Sequence, residues 1–180
     1  MNNSKKLLIP FIATLVGALL IVLTLFLPYA SAADETRQGL EMMSSMPVSK
    51  DSGITAGDMI DISMVEFASL YIDIGDAGSG DEESVPIYVG MIALIGVFGL
   101  LAAVFALFKK PIAVIIFDIL ALAVFLLQNW DYTEREVIGE AYNWGAAYYV
   151  FFVAAIITFV AAIWLLVTKK QIKKAAQVVA

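Results

Sequence analysis

Four long apolar runs, residues 7–29, 87–108, 111–130 and 144–168, alternate with polar segments along this 180-residue chain. Each run reaches the ~20 residues that a helix rising ~1.5 Å per residue needs to cross ~30 Å of hydrocarbon. The pattern predicts an all-α integral membrane protein, an antiparallel four-transmembrane-helix bundle with a partly helical extracytoplasmic loop. Around the spans lie an N-terminus (1–6), a large loop (30–86), a two-residue turn (109–110), a short loop (131–143) and a basic tail (169–180). Pro86 and Pro111 fall where helices open and a missing N–H has no cost, and Pro10 and Pro28 lie near the two ends of the first run. The two-residue turn implies a tight hairpin of the second and third spans.

Within the large loop the periodicity changes. Residues 33–46 read as a short helix, able to continue from the first span after Pro28. Thr55 precedes Asp58 by three positions and Ser63 precedes Glu66 by three, the spacing at which hydroxyl and carboxylate satisfy backbone N–H groups at a helix start. Helices are therefore expected over 56–62 and 64–74. Ile60, Ile62 and Met64 also alternate as a strand would, which leaves a strand open for that stretch. In the second helix Met64, Phe67, Ala68 and Tyr71 form an apolar stripe that could lie on the membrane, cover the bundle or face a partner. Gly75 to Ser84 reads as an acidic linker.

Composition and charge give these runs their orientation. Apolar residues make up 61% of the chain, against about 45–50% in soluble domains, and mean hydropathy is +0.87. Lys5, Lys6, Lys109, Lys110, Lys169, Lys170, Lys173 and Lys174 all flank spans at one end, with no acid among them. The two loops at the other end carry net charges of −10 (residues 30–86) and −3 (131–143). Lys-rich short segments stay in the cytoplasm, so both termini are expected inside a plasma membrane and both acidic loops outside. Tyr29, Tyr88, Trp130, Tyr132, Tyr142 and Trp144 would form an aromatic belt at the outer headgroups, with Trp164 near the inner face. A second reading of the N-terminus remains: Lys5-Lys6, an apolar stretch and Ala30-Ser31-Ala32 imitate a signal peptide with a small-residue cleavage site.

The candidate chemistry is sparse. Cysteine and histidine are both absent, which removes disulfides, thiolate nucleophiles, imidazole bases and the usual zinc sites. No cofactor motif or nucleic-acid-binding surface is present, no cofactor is expected, and one intramembrane carboxylate cannot make a facing catalytic pair, so the chain is not expected to be an enzyme. Asp118 is the only charged residue inside an apolar run. A carboxylate there costs ~2.5–3.5 kcal/mol on insertion scales, so it should face the bundle and find a partner or take up a proton. Thr14 and Thr158 lie at comparable depth and could donate to it. It would then be either a polar clamp between helices or a cation or proton site.

Asp73, Asp76, Asp81, Glu82 and Glu83 crowd among glycines and offer hard oxygen ligands, but their spacing is not that of a calcium loop, and a solvated acidic loop is the default. Met42, Met43 and Met46 with Met59 and Met64 could present soft thioethers to Cu(I), although without His or Cys they read as gap-filling packing. Small residues recur at four-residue spacing (Ala13 and Gly17; Gly99 and Ala103; Ala154, Thr158 and Ala162), which lets helices approach closely. The Lys169–Lys174 cluster should sit against anionic lipid headgroups.

In topology the chain resembles the tetraspan families, claudins and tetraspanins among them, although it lacks their cysteines and its large loop is the first. It is more similar to small four-span membrane proteins of bacteria, in which the first span ends in a Leu-Pro-aromatic step, here Leu27-Pro28-Tyr29, and the loop carries a Ser-x-x-acid helix, here Ser63 to Glu66. That resemblance implies a fold and a location. The expected function is a scaffold, assembly factor or accessory subunit meeting another membrane or envelope protein through its acidic loop. The alternative is a homo-oligomeric channel or transporter subunit using Asp118.

Overall fold

In the computed structural model, the described residues are 3–48, 53–76 and 85–179. They are mostly helical. Four helices are long and apolar enough to cross a membrane: α1 (Asn3–Leu23), α4 (Val85–Leu107), α5 (Pro111–Glu134) and α6 (Ala146–Val179). That is the profile of a multi-pass membrane protein. Large apolar side chains stay exposed along them, as at Ile12, Val16, Leu19 and Leu23 on α1. The α6 helix does not stop at the end of its apolar run but carries on through the basic tail.

Each long helix packs on two others: α1 on α4 and α6, and α5 on α4 and α6. Small residues make the approach possible. Gly17 of α1 faces α6 so closely that a Cβ there would lie 2.4 Å from Thr158 Oγ1. Near the lysine-bearing end the core is built from Ala18, Ala102, Ala103, Ala106, Val114 and Ala162. Toward the loop end it becomes aromatic, with Phe125 and Phe151 stacked at 3.8 Å between ring centroids.

The first correction to the all-helical expectation comes where α1 ends. Leu27 precedes a proline and is extended (φ −87°, ψ 155°), as crowding by a proline ring requires. The chain therefore passes through a 3₁₀ turn (Thr24–Phe26) into strand β1 (Pro28–Ala32), and the helix does not continue beyond Pro28. This strand is the centre of a three-stranded antiparallel sheet, flanked by β2 (Asp61–Ser63) and β3 (Tyr142–Trp144). Ala30 pairs with Ile62 on one side and Trp144 on the other. One short strand thus ties both loops to the end of the first span. The Ala30-Ser31-Ala32 stretch that imitates a cleavage site is this strand, with Ala30 and Ala32 buried.

The loop helices differ from expectation in a graded way. The helix expected over 33–46 is shorter, α2 (Asp34–Met42), and has no buried residue. That expected over 56–62 is only a 3₁₀ turn (Asp58–Ile60) running into β2; sheet pairing took residues 61–63, in line with their alternation. The α3 helix (Met64–Asp76) forms where its pattern places it. At its start Ser63 N and Oγ both donate to Glu66 Oε2 at 2.7 Å, and Glu66 N donates back to Ser63 Oγ at 3.3 Å. Gly145, between β3 and α6, donates its N–H to Tyr29 O at 2.8 Å, and a Cβ there would stand 2.4 Å from Pro28 O. Only glycine lets α6 leave the sheet so close to β1.

Candidate functional site

Asp118 sits at the eighth position of α5 and is 3% exposed, yet its Oδ1 has no hydrogen-bond partner. The two hydroxyls expected to serve it are engaged elsewhere. Thr14 Oγ1 donates to Pro10 O at 2.6 Å, and Thr158 Oγ1 donates to Ala154 O at 2.8 Å, each within its own helix. Thr158 instead packs against Gly17. The anticipated Asp118–Thr clamp is therefore not formed, because back-bonding to the carbonyl four residues earlier satisfies each hydroxyl locally.

The carboxylate lines an open groove of about 330 Å³ between α5 and α6. The remaining walls are Ile119, Leu122, Phe152, Ala155, Ile156, Phe159 and Val160, all apolar. A buried acid without a donor is costly in a medium that contains no water. The groove walls supply no donor to the Asp118 oxygen, which stays buried behind them.

A second polar cluster lies at the loop end, and the sequence reading did not single it out. Gln128 and Asn129 close the apolar run of α5 and are buried beneath the sheet. Tyr29 Oη donates to Asn129 Oδ1, whereas both amide atoms of Gln128 and Nδ2 of Asn129 lack partners. The rings of Phe67, Phe125, Tyr132 and Trp144 all meet Tyr29 edge-on, with centroids 5.5–6.3 Å away. The signal available was two adjacent carboxamides just before Trp130, in a position where a lipid-facing helix would carry none. Arg135 completes this end, lying 4.3 Å over the Tyr88 ring and pairing with Asp131 at 3.1 Å.

The apolar stripe of α3 belongs to this core. Met64 and Phe67 are buried, and Tyr71 is half-buried and stacked on Tyr88. Met64 and Phe67 thus cover the chain's own bundle, and Tyr71 stays partly exposed at its edge. Burial raises the Tyr71 phenol above its ordinary range.

Three of the five methionines diverge from the gap-filling expectation. Met42 is 84% exposed, and Met43 and Met46 are exposed beside it at the end of α2. Met64 is in the core and Met59 packs against it, so the five thioethers do not converge. Of the acidic candidates, Asp81, Glu82 and Glu83 lie outside the described residues, as does the side chain of Asp76. Among the described residues no three acids come together as a metal site. Asp58, exposed, accepts from Thr55 N and Oγ1, both at 2.8 Å, and these bonds hold its carboxyl below the usual range.

The chain matches no protein-family model, no curated protein and no solved structure.

Proposed function

We propose that this is a non-catalytic four-span protein of the plasma membrane, an antiparallel helix bundle with both termini cytoplasmic, that serves another membrane protein as accessory subunit, assembly factor or scaffold. Supporting the orientation is the sorting of eight lysines to one end and of two acidic loops to the other. The likeness to small four-span membrane proteins of bacteria agrees with this placement.

The observation that carries the reading is the unpartnered oxygen of Asp118, a buried residue beside the apolar groove between α5 and α6. A transmembrane helix of a different chain, bringing an amide, hydroxyl or ammonium donor to that depth, would satisfy it and fill the slot. The loop helps less than its sequence promised, because the α3 stripe is spent on the protein's own core. Outward on the loop are Met42, Met43 and Met46 at the end of α2 and Val65 and Ile72 on the other side of α3, a smaller surface for an envelope partner. The same carboxylate supports a second reading, in which several copies bring Asp118 around a path for a cation or proton.

A photoreactive side chain at Ile156, which lines the groove and is exposed, distinguishes the two in intact membranes. Under the accessory reading it crosslinks to one different membrane protein, and the product disappears in Asp118→Leu. A product joining two copies of this chain supports the channel reading instead. Yield no greater than from a control probe at exposed Leu100 on α4 rejects the groove as a docking site.

A further inference from the structure

The lysine-bearing end of the bundle holds a second cavity, of about 790 Å³, whose composition is unlike the first. Lys109, Lys110, Lys169, Lys170 and Lys173 surround its mouth, and Pro111, Ile112, Ile116 and Leu166 are among the apolar residues below them. No Asp or Glu occurs between residues 84 and 117 or after 140, so nothing in those segments neutralises the lysines.

Two of the five lysines have structural duties. Lys169 Nζ donates to Lys109 O at 2.8 Å, binding the tail of α6 to the α4–α5 turn, and Lys109 Nζ lies 5.1 Å over the Phe11 ring. The side chains of Lys110, Lys170 and Lys173 make no ion pair or hydrogen bond among the described residues. The turn itself favours an anion. Lys110 caps α5 without a side-chain bond and the first intrahelical bond is Val114 N to Lys110 O, so the N–H groups of Ile112 and Ala113, both at the cavity, open the helix. Lys109 adopts φ 53°, a left-handed conformation that most chains give to glycine at a helix end. Retaining lysine there keeps a cation at the mouth in spite of the backbone cost.

The geometry points to a binding site for one anionic phospholipid at this cavity, the phosphate held by Lys110, Lys170, Lys173 and the first turn of α5, and an acyl chain lying along Ile112, Ile116 and Leu166. Charge complementarity selects an anion, and the apolar floor selects a lipid over a free ion. Ile116, six residues beyond Lys110, reaches ~9 Å below it at ~1.5 Å per residue, deep enough to meet the chain and not merely the headgroup. The inference rests on this end alone and stands whether or not a protein occupies the Asp118 groove.

Native mass spectrometry of the full chain in mild detergent tests it, with phosphatidylglycerol and phosphatidylcholine of identical acyl chains as probes. The expected result is one retained phosphatidylglycerol, bound about tenfold or more tightly than phosphatidylcholine. The combined variant Lys110→Gln, Lys170→Gln, Lys173→Gln should fall to the phosphatidylcholine level, while the corresponding triple Arg variant keeps the preference and shows that charge, not folding, was lost. Ile116→Trp, which fills the floor and leaves every lysine, should also release the lipid. Equal retention of the two lipids, or an unchanged preference in the triple Gln variant, overturns the proposal. So does displacement by inorganic phosphate at the same concentration, which would make it a free-anion site, or full retention by Ile116→Trp.

Discussion

Replacing Asp118 by leucine should make the isolated chain more stable, which is the reverse of what removing a buried hydrogen-bonding residue normally does. The carboxylate is almost fully buried, its Oδ1 has no donor, and the neighbouring groove of about 330 Å³ has room for the larger side chain. On insertion scales Asp at a helix centre costs ~2.5–3.5 kcal/mol and Leu is favourable by ~0.3–0.6 kcal/mol, which bounds the gain near 4 kcal/mol. The unfolded chain in micelles also shelters the residue, so a gain of about 1–3 kcal/mol is expected, within the range found when buried ionic groups give way to apolar ones. Asp118→Asn should gain under ~1 kcal/mol, because it removes the charge but keeps unpaired polar atoms. Reversible unfolding by SDS titration in mixed micelles, followed by circular dichroism, measures both. A loss of more than ~1 kcal/mol in Asp118→Leu would refute the reasoning, since it would mean that a donor within the chain holds the carboxylate.

Further expectations follow from local geometry. Gly145→Ala places a methyl 2.4 Å from Pro28 O, backbone against backbone, and should lower stability by about 1–3 kcal/mol in the same titration. Gly17→Ala should cost a similar amount, and because its nearest clash is the Thr158 hydroxyl, Thr158→Ala should recover part of the loss in a double-mutant cycle. Tyr29→Phe strips Asn129 Oδ1 of its donor beneath the sheet and should cost about 1–3 kcal/mol. Lys109→Gly and Glu136→Gly relieve left-handed backbone at the ends of α4 and α5 and should each add about 1 kcal/mol. Asp58, held below the ordinary carboxylate range by Thr55, lends stability that is complete above its unfolded pKa and lost as pH falls through the lower folded value. Carbon-detected NMR titration of its carboxyl should show that lowered midpoint, and Thr55→Val should move it up.

How much of this was legible depended on range along the chain. The four spans follow from long apolar runs, and α3 with its reciprocal Ser63–Glu66 cap follows from a three-residue spacing; both are local signals. The sheet is not local. Residues 28–32 pair with 61–63 and 142–144, strands of three to five residues; the alternation of Ile60, Ile62 and Met64 hints at one of them, and the other two carry no pattern of their own. Leu27 before Pro28 did announce the end of α1, but only the partners decide that a strand follows. The position of Asp118 was readable, whereas its lack of a donor was not, because Thr14 and Thr158 settle on their own helices' carbonyls. Likewise the stripe Met64, Phe67 and Tyr71 is visible as apolar, but only packing against Tyr29, Tyr132 and Tyr88 shows that it faces inward. Met42, Met43 and Met46 went the other way, outward at the end of a helix too polar to bury any face.

The most direct test of the central claim is native mass spectrometry of the protein released gently from its own membranes, wild type beside Asp118→Leu. The account expects a second, different protein at fixed stoichiometry with the wild type, and its loss from an otherwise folded Asp118→Leu chain. A closed ring of identical copies, or a companion that stays bound when Asp118 is replaced, would contradict it.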